Sequence, residues 1–147
     1  MLFRSAFTGA VTIDMITDLD FAINVYDNFV SDIAPYGCTN TANYITRTLS
    51  LSQAAEAFKI IFDANIVNNT SVKIYYRTWT GNADLRKIPY KDTGFVSTNN
   101  DPENSFVERT IDVSPGSFSN ISIKIVMKST NPVYVPKIKN LRVVALS

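Results

Sequence analysis

Regular alternation of apolar and polar residues is the feature that most constrains how this sequence folds. In the stretch SVKIYYRTW, Val72, Ile74 and Tyr76 lie on one face of an extended chain. The stretch SNISIKIVMK repeats the pattern with four apolar residues on one face: Ile121, Ile123, Ile125 and Met127. A period of two residues is typical of β-strands that pack one face against a core. Shorter runs in NYITRTLSL and SFVERTIDV alternate in the same way, so the sequence predicts several half-buried strands.

Turn-forming residues separate these runs at short intervals. They include the pairs Asn68-Asn69, Gly81-Asn82, Pro115-Gly116 and Asn131-Pro132. Many short strands divided by such turns indicate antiparallel pairing in two packed sheets. The predicted fold is therefore all-β, a jelly-roll-like antiparallel β-sandwich of about eight strands. We assign residues 33–147 to this domain and residues 1–32 to an N-terminal attachment segment or to added strands.

One segment fits two periodicities. In LSQAAEAFKIIF the apolar residues match a helical face at the start and a strand at the end. The β-branched residues after Ala57 favour a strand there. We expect a turn or a single helical turn over residues 52–56, followed by a strand.

The last run, YVPKIKNLRVVAL, reads as a strand that begins at Val135 and Pro136, where a missing N–H is tolerated. Its apolar character predicts a terminal strand built into the sandwich rather than a loose tail. The alternation assigns these residues to two faces: Ile138, Val144 and Leu146 on one, and Lys137, Lys139 and Val143 on the other.

Composition excludes several functions. The chain of 147 residues has 46% hydrophobic and 18% charged residues, as expected for one globular domain. Its net charge of +1 gives no general attraction to nucleic acid, and no apolar stretch has the length of a membrane span. It has no histidine and one cysteine, Cys38, which we interpret as a small half-buried residue. Because no catalytic or phosphate-binding motif is present, we expect neither an enzyme nor a cofactor.

The charges are distributed unevenly along the chain. The first 32 residues contain five aspartates and one arginine, whereas five cations and no acid follow Val113. The acids are Asp14, Asp18, Asp20, Asp27 and Asp32, and the cations are Lys124, Lys128, Lys137, Lys139 and Arg142. Such charges discourage aggregation of strand edges, or they pair the two ends within one chain or between copies.

Five short stretches carry a resemblance to a known family. They are Tyr44–Arg47, Asp63–Asn65, Lys73–Arg77, Ile123–Val126 and Val135–Arg142. Together they resemble a β-sandwich module of structural proteins in tailed bacteriophages, especially baseplate and tail-fibre-associated proteins of cyanophage-like viruses. The Val-Pro-x-Ile-Lys-x-Leu-Arg spacing of the last stretch is the most specific. Modules of this family are usually parts of longer proteins, so a small accessory subunit is the better match.

The resemblance implies a non-enzymatic virion component of the tail, baseplate or fibre junction, made in the host cytoplasm. Its expected partners are other tail or baseplate proteins and further copies of itself. The alternative is a carbohydrate-binding module that recognises a host-surface glycan. No nucleic-acid binding and no membrane insertion are expected.

Two groups of residues are candidates for contacts with partners. The aromatic residues Tyr75, Trp79 and Tyr90 would stack on a sugar or fill a subunit interface; alternatively Tyr75 and Trp79 cover the sheet. Near the N-terminus, four apolar residues are candidate anchors of an attachment segment: Phe3, Phe7, Val11 and Ile13.

The loop STNNDPENS is the one candidate for an ion. It contains the oxygen donors Asn99, Asp101, Glu103 and Asn104, which are of the type that Ca²⁺ prefers. Their spacing does not match a calcium-binding hand. We therefore interpret the loop as a solvated turn without a metal.

Overall fold

The computed structural model describes residues 30–38 and 42–147. They contain eight β-strands and one turn of 3₁₀ helix, Leu85–Lys87. The strands are β1 (Ala42–Ile45), β2 (Leu49–Ala55), β3 (Ala57–Asn65), β4 (Thr70–Trp79), β5 (Lys91–Asp92), β6 (Val107–Val113), β7 (Phe118–Ser129) and β8 (Lys137–Leu146).

The strands form two antiparallel sheets. The larger sheet has the order β1–β7–β4–β5, and β2 also pairs with β7 beyond the end of β1. The smaller sheet has the order β6–β3–β8. The chain changes sheet at most connections after β2, as in a jelly roll. The predicted all-β antiparallel sandwich is confirmed.

The core lies between the two sheets and follows the predicted alternation. Phe58 of β3 is completely buried, and its ring centroid lies 5.3 Å from that of Tyr76 on β4. A second edge-to-face contact, at 5.8 Å, joins Phe58 to Phe118 of β7. These aromatic contacts add to the free energy that apolar burial contributes. The predicted inward faces of β4 and β7 are confirmed, with Val72, Ile74, Tyr76, Ile121, Ile123 and Ile125 all in the core.

The expected turn or single helical turn at residues 52–56 is wrong, whereas the strand expected after it is present as β3. Strand β2 continues to Ala55, and only Glu56 separates it from β3. Ser50 pairs with Asn120 and Ala55 with Phe118, so four β2 residues oppose the single residue between those two partners. Pairing with β7 therefore overrides the local helical preference, and the surplus length is taken up as an irregularity in the strand.

The predicted phase of the terminal strand is correct only for its first half. Lys139 and Arg142 pair with Asp63 and Ile61, so two residues of β8 oppose one residue of β3. This β-bulge includes Asn140, whose φ of 55° lies in the left-handed region. A bulge adds one residue to the strand and reverses the alternation beyond it.

The reversal changes which valine enters the core. Ile138, Leu141 and Val143 pack against the core cluster. Val144 and Leu146 point outward and are 44% and 43% exposed. The strand itself begins at Lys137, after the buried Pro136 rather than with it.

Replacing each of the neighbouring valines tests the position of the bulge. We expect Val143→Ala to lower the free energy of unfolding by about 1–2 kcal/mol, because it removes two methyl groups that pack on the core. Val144→Ala should cost less than about 0.5 kcal/mol, as for most surface substitutions. Urea unfolding of both variants measures the difference, and a larger loss for Val144→Ala would contradict the assigned bulge.

Candidate functional site

The three predicted aromatic residues lie on the outer face of the larger sheet, where most of their surface is covered. Tyr75 is 5% exposed and Tyr90 is 2% exposed, while Trp79 is half-buried. Tyr75, Tyr90 and Val126 form a second buried cluster, against which Cys38 and Ile45 pack. Tyr75 and Tyr90 are therefore not on the exposed surface that stacking on a sugar requires. Tyr75 has the alternative role considered from the sequence, that of covering the sheet.

The segment of residues 30–38 covers this outer face, and Lys124 holds it in place. Lys124 lies in the middle of β7 and is completely buried. Its Nζ donates hydrogen bonds to three backbone carbonyls of the segment: Ala34 at 3.0 Å, Tyr36 at 3.2 Å and Gly37 at 3.3 Å. A buried ammonium group needs such acceptors because it has lost its water. Burial lowers the pKa of Lys124 below its ordinary value.

Further contacts fix the same segment. The backbone N–H of Tyr90 donates to the carbonyl of Ile33 at 2.8 Å. The Asp32 carboxylate pairs with Lys128 Nζ at 3.1 Å and accepts a hydrogen bond from Tyr75 Oη at 3.3 Å. Among the described residues, this pair joins an aspartate of the acidic end of the sequence to a lysine of the basic end within one chain.

A second buried cation, Arg77, also lies against the Tyr90 ring. The Arg77 guanidinium carbon is 4.6 Å from the centroid of that ring, and Lys124 Nζ is 5.4 Å from it. Arg77 Nη1 donates to the carbonyls of Leu85 and Ile88, which belong to the 3₁₀ turn and the residue after it. Within the described residues Arg77 Nε has no hydrogen-bond partner. The two cations and Tyr90 attach the loop before β5 and the 30–38 segment to one sheet face.

The donors of Lys124 and Tyr90 are already engaged by the chain itself, whereas Arg77 Nε is not. All three Lys124 hydrogen bonds go to carbonyl oxygens, and the Tyr90 hydroxyl lies 3.0 Å from Ser122 Oγ. We therefore interpret the cluster as a structural contact that holds residues 30–38 and the loop before β5 against the outer face of the sheet. The sequence contained one signal for it, a lysine inside the apolar run ISIKIV.

The oxygen-rich loop is also tied down internally. Asp101 forms two 2.7 Å contacts with Arg109 Nη2, and it accepts the N–H of Ile66 at 2.8 Å. Asn65 donates to the carbonyls of Pro102 and Ser105. Residues 30–38 and 42–147 contain no group of three or more His, Cys, Asp or Glu side chains arranged to hold a metal ion.

An apolar groove lies along the side of the sandwich between β1 and β8. Its volume is about 480 Å³, and it is lined by Tyr44, Ile125, Met127, Pro136, Lys137, Ile138 and Leu141. It exists because the larger sheet extends past β7 to β1, whereas β8 is the last described strand of the smaller sheet on that side. We call it the side groove.

Exposed apolar residues occur beside this groove, in the loop between β7 and β8. Val133 is 78% exposed and Val135 is 59% exposed, with Tyr134 between them at 37%. Ser129 Oγ lies 2.6 Å from the carbonyl oxygen of Asn131 and 2.7 Å from that of Tyr134, and its one hydroxyl hydrogen is shared between these two acceptors of the loop. We call Val133–Val135 the apolar tip. The sequence pattern did not indicate this tip, because Val135 fitted the predicted terminal strand.

The candidate anchors Phe3, Phe7, Val11 and Ile13 lie outside the described residues. Within the described part of the chain, no helix is long and apolar enough to cross a membrane. Comparisons with protein families, curated proteins and solved structures find no match to this chain.

The reactivity of the Cys38 thiol tests whether Lys124 holds residues 30–38 against the sheet. We expect Lys124→Met to leave three carbonyls without their donor and to release residues 30–38 from the sheet. Because a hydrogen bond to a charged group contributes about 1.5–3 kcal/mol, modification of Cys38 should become roughly tenfold faster or more. Reaction with an aromatic disulfide reagent at constant pH measures the rate.

The matched control is Lys73→Met. Lys73 lies on the neighbouring strand β4, but its ammonium group is exposed and pairs with Asp92. This variant should react at the wild-type rate. Equal rates for Lys124→Met and the wild type would mean that Lys124 does not hold the segment.

The pH dependence of stability tests the position of Tyr75. Burial, followed by the charges of Asp32 and Asp92, raises the pKa of Tyr75 to about 12. An unfolded tyrosine ionises near pH 10, so between about pH 10 and 12 only the folded state keeps this proton. The contribution of Tyr75 to stability is therefore complete below pH 10 and decreases as the pH rises towards 12.

We expect the free energy of unfolding of Tyr75→Phe to fall less steeply over that pH range than that of the wild type. Tyr44→Phe, which changes a 54% exposed tyrosine, serves as the control and should keep the wild-type slope. Urea unfolding at intervals from pH 9 to 12 gives both slopes. Identical slopes for wild type and Tyr75→Phe would contradict the buried position of the hydroxyl.

Proposed function

We propose that this chain is a non-enzymatic structural subunit of a phage virion, in the tail, the baseplate or a fibre junction. It acts by contacts with other virion proteins and with further copies of itself. The resemblance of five sequence stretches to phage structural modules supports the virion setting. The structural features that support this role are surfaces suited to protein contacts rather than a reactive centre.

The observation that carries the proposal is the apolar tip. Three consecutive apolar side chains project from a loop whose backbone is held by Ser129 and Asn131. Isolated exposed apolar residues are common, but an ordered apolar loop next to an apolar groove is typical of protein-binding surfaces. A fixed loop also loses little conformational entropy when it binds.

Complementation of a phage that lacks this chain tests the proposal. The wild-type chain should be present in particles purified by density gradient, as detected by mass spectrometry. Val133→Ser combined with Val135→Ser should reduce the amount in particles about tenfold or more, since burial of each valine contributes roughly 1.5–3 kcal/mol to a contact. The amount of soluble variant in the cell should not change.

Val96→Ser is the matched control, because Val96 is 83% exposed and lies outside the tip. It should enter particles like the wild type. Absence of the wild-type chain from particles would contradict the virion role. Equal incorporation of the tip variant and of Val96→Ser would contradict the role of the tip.

A further inference from the structure

One edge of strand β8 has no partner strand among residues 30–38 and 42–147. β8 is ten residues long and pairs with β3 along its other edge. The N–H and C=O groups along such an edge are the groups that bind an additional strand. The bulge at Asn140 interrupts the edge once, and Ile138 and Leu141 on either side of the bulge line the side groove. The edge and the groove therefore form one continuous surface.

The side groove has the size and the lining of a binding site. Its volume of about 480 Å³ lies within the range of roughly 300–1,000 Å³ that is usual for ligand sites. Ile138 and Leu141 line it from the smaller sheet, and Ile125 and Met127 line it from the larger sheet. Tyr44 of β1, which is 54% exposed, also lines it. An extended chain beside β8 would place every second side chain in this apolar groove.

Three of the five cations in the basic end of the sequence have partners within the chain. Lys124 donates to carbonyl groups, Lys128 pairs with Asp32, and Arg142 pairs with Glu108 at 2.7 Å. The other two cations are both on β8, at the end of the strand that borders the groove.

These two cations, Lys137 and Lys139, are exposed and form no ion pair with another described residue. Lys137 lines the side groove, and its Nζ lies 3.1 Å from Oδ1 of the neutral Asn104. Asp63, which is opposite Lys139 in register, accepts a hydrogen bond from Asn140 at 2.7 Å. The positive charge beside the groove therefore favours an acidic partner.

The same cations argue against a second copy of β8 as the partner. If two copies paired edge to edge, each would bring Lys137, Lys139 and Arg142 onto one continuous sheet. Like charges on neighbouring strands are destabilising, whereas an acidic strand would offset these charges.

We propose that the free edge of β8 and the side groove bind an extended segment of another protein, in which apolar residues alternate with acidic ones. The backbone of this segment pairs with β8, and its apolar side chains fill the groove. Its outward carboxylates pair with Lys137 and Lys139. The inference goes beyond the proposed virion role, because it adds a contact surface separate from the apolar tip and states the chemistry of its partner.

A peptide titration of the full-length, ¹⁵N-labelled chain, followed by NMR, tests this proposal. The probe is a synthetic peptide of about nine residues in which valine alternates with glutamate. It should shift the amide signals of Tyr44, Ile138 and Leu141 and saturate near or below about 1 mM, while β6 is unaffected. A peptide with lysine in place of glutamate should bind at least about fivefold more weakly, since it meets two lysines of like charge.

Charge reversal on β8 tests the preference for acidic residues. Lys137→Glu combined with Lys139→Glu should reverse the preference, so that the lysine peptide binds more tightly than the glutamate peptide. The matched control is Lys87→Glu combined with Lys91→Glu, which changes the net charge by the same amount. Lys91 belongs to β5, at the opposite end of the larger sheet from β1. This control should keep the wild-type preference.

Three results would overturn the proposal. The first is the absence of shifts in β1 and β8 with either peptide, which would mean that no segment from outside the chain binds there. The second is equal binding of the two peptides to the wild type. The third is a shift of the β8 signals that follows dimerisation without peptide, as measured by gel filtration, which would assign the edge to a second copy.

If the β8 double variant does not fold, the comparison of the two peptides on the wild type decides the question alone. The particle experiment has a separate readout, so either proposal can fail without the other.

Discussion

Burial of strand β7 on both faces is the constraint on which the rest of the structure depends. All six residues Ile121–Val126 are buried, and the strand pairs with β1, β2 and β4. Its inward isoleucines need the smaller sheet, whereas its outward Ser122, Lys124 and Val126 need a cover. The 30–38 segment and the Tyr90 loop provide that cover. The sandwich therefore has a third layer over part of the larger sheet, and the carbonyls of that layer satisfy the buried ammonium group.

In this three-layer arrangement, charged residues near β7 hold the covering segments against the larger sheet. Lys124 and Arg77 bind carbonyls from two different loops, and Asp32 joins Lys128 to Tyr75. A buried cation bound to neutral carbonyls contributes less to stability than to specificity, because only one position of the loop satisfies it. This explains why a lysine occupies a buried site where a valine would need no hydrogen-bond acceptors.

The sequence predicted the regular parts of the fold. The faces of β4 and β7 follow from a period of two, because these strands contain no bulge between Val72 and Tyr76 or between Ile121 and Ile125. The faces of the second half of β8 could not be predicted, because one inserted residue at Asn140 reverses the alternation. Asparagine did not reveal the bulge, since it is also common in turns that contain none. The prediction of a turn or a single helical turn at residues 52–56 was wrong, because pairing with β7 is a long-range contact that local propensity does not contain.

The candidate surfaces were harder to predict than the fold. From the sequence, Tyr75 and Tyr90 were candidates for an exposed aromatic patch. Only the tertiary position of residues 30–38 shows that they are covered. Whether Val133–Val135 form an exposed tip depends on the residue at which β8 begins. In the sequence, Pro136 did not determine that boundary.

Native-state hydrogen exchange in low concentrations of denaturant tests the double burial of β7 most directly. Our account predicts that amides of Ile121–Val126 exchange only through global unfolding, with the largest free energies in the molecule. The strands β6 and β8, which are outermost among the described strands of the smaller sheet, should open before β7. Exchange of the β7 amides through local opening, at free energies below those of β6, would contradict the account.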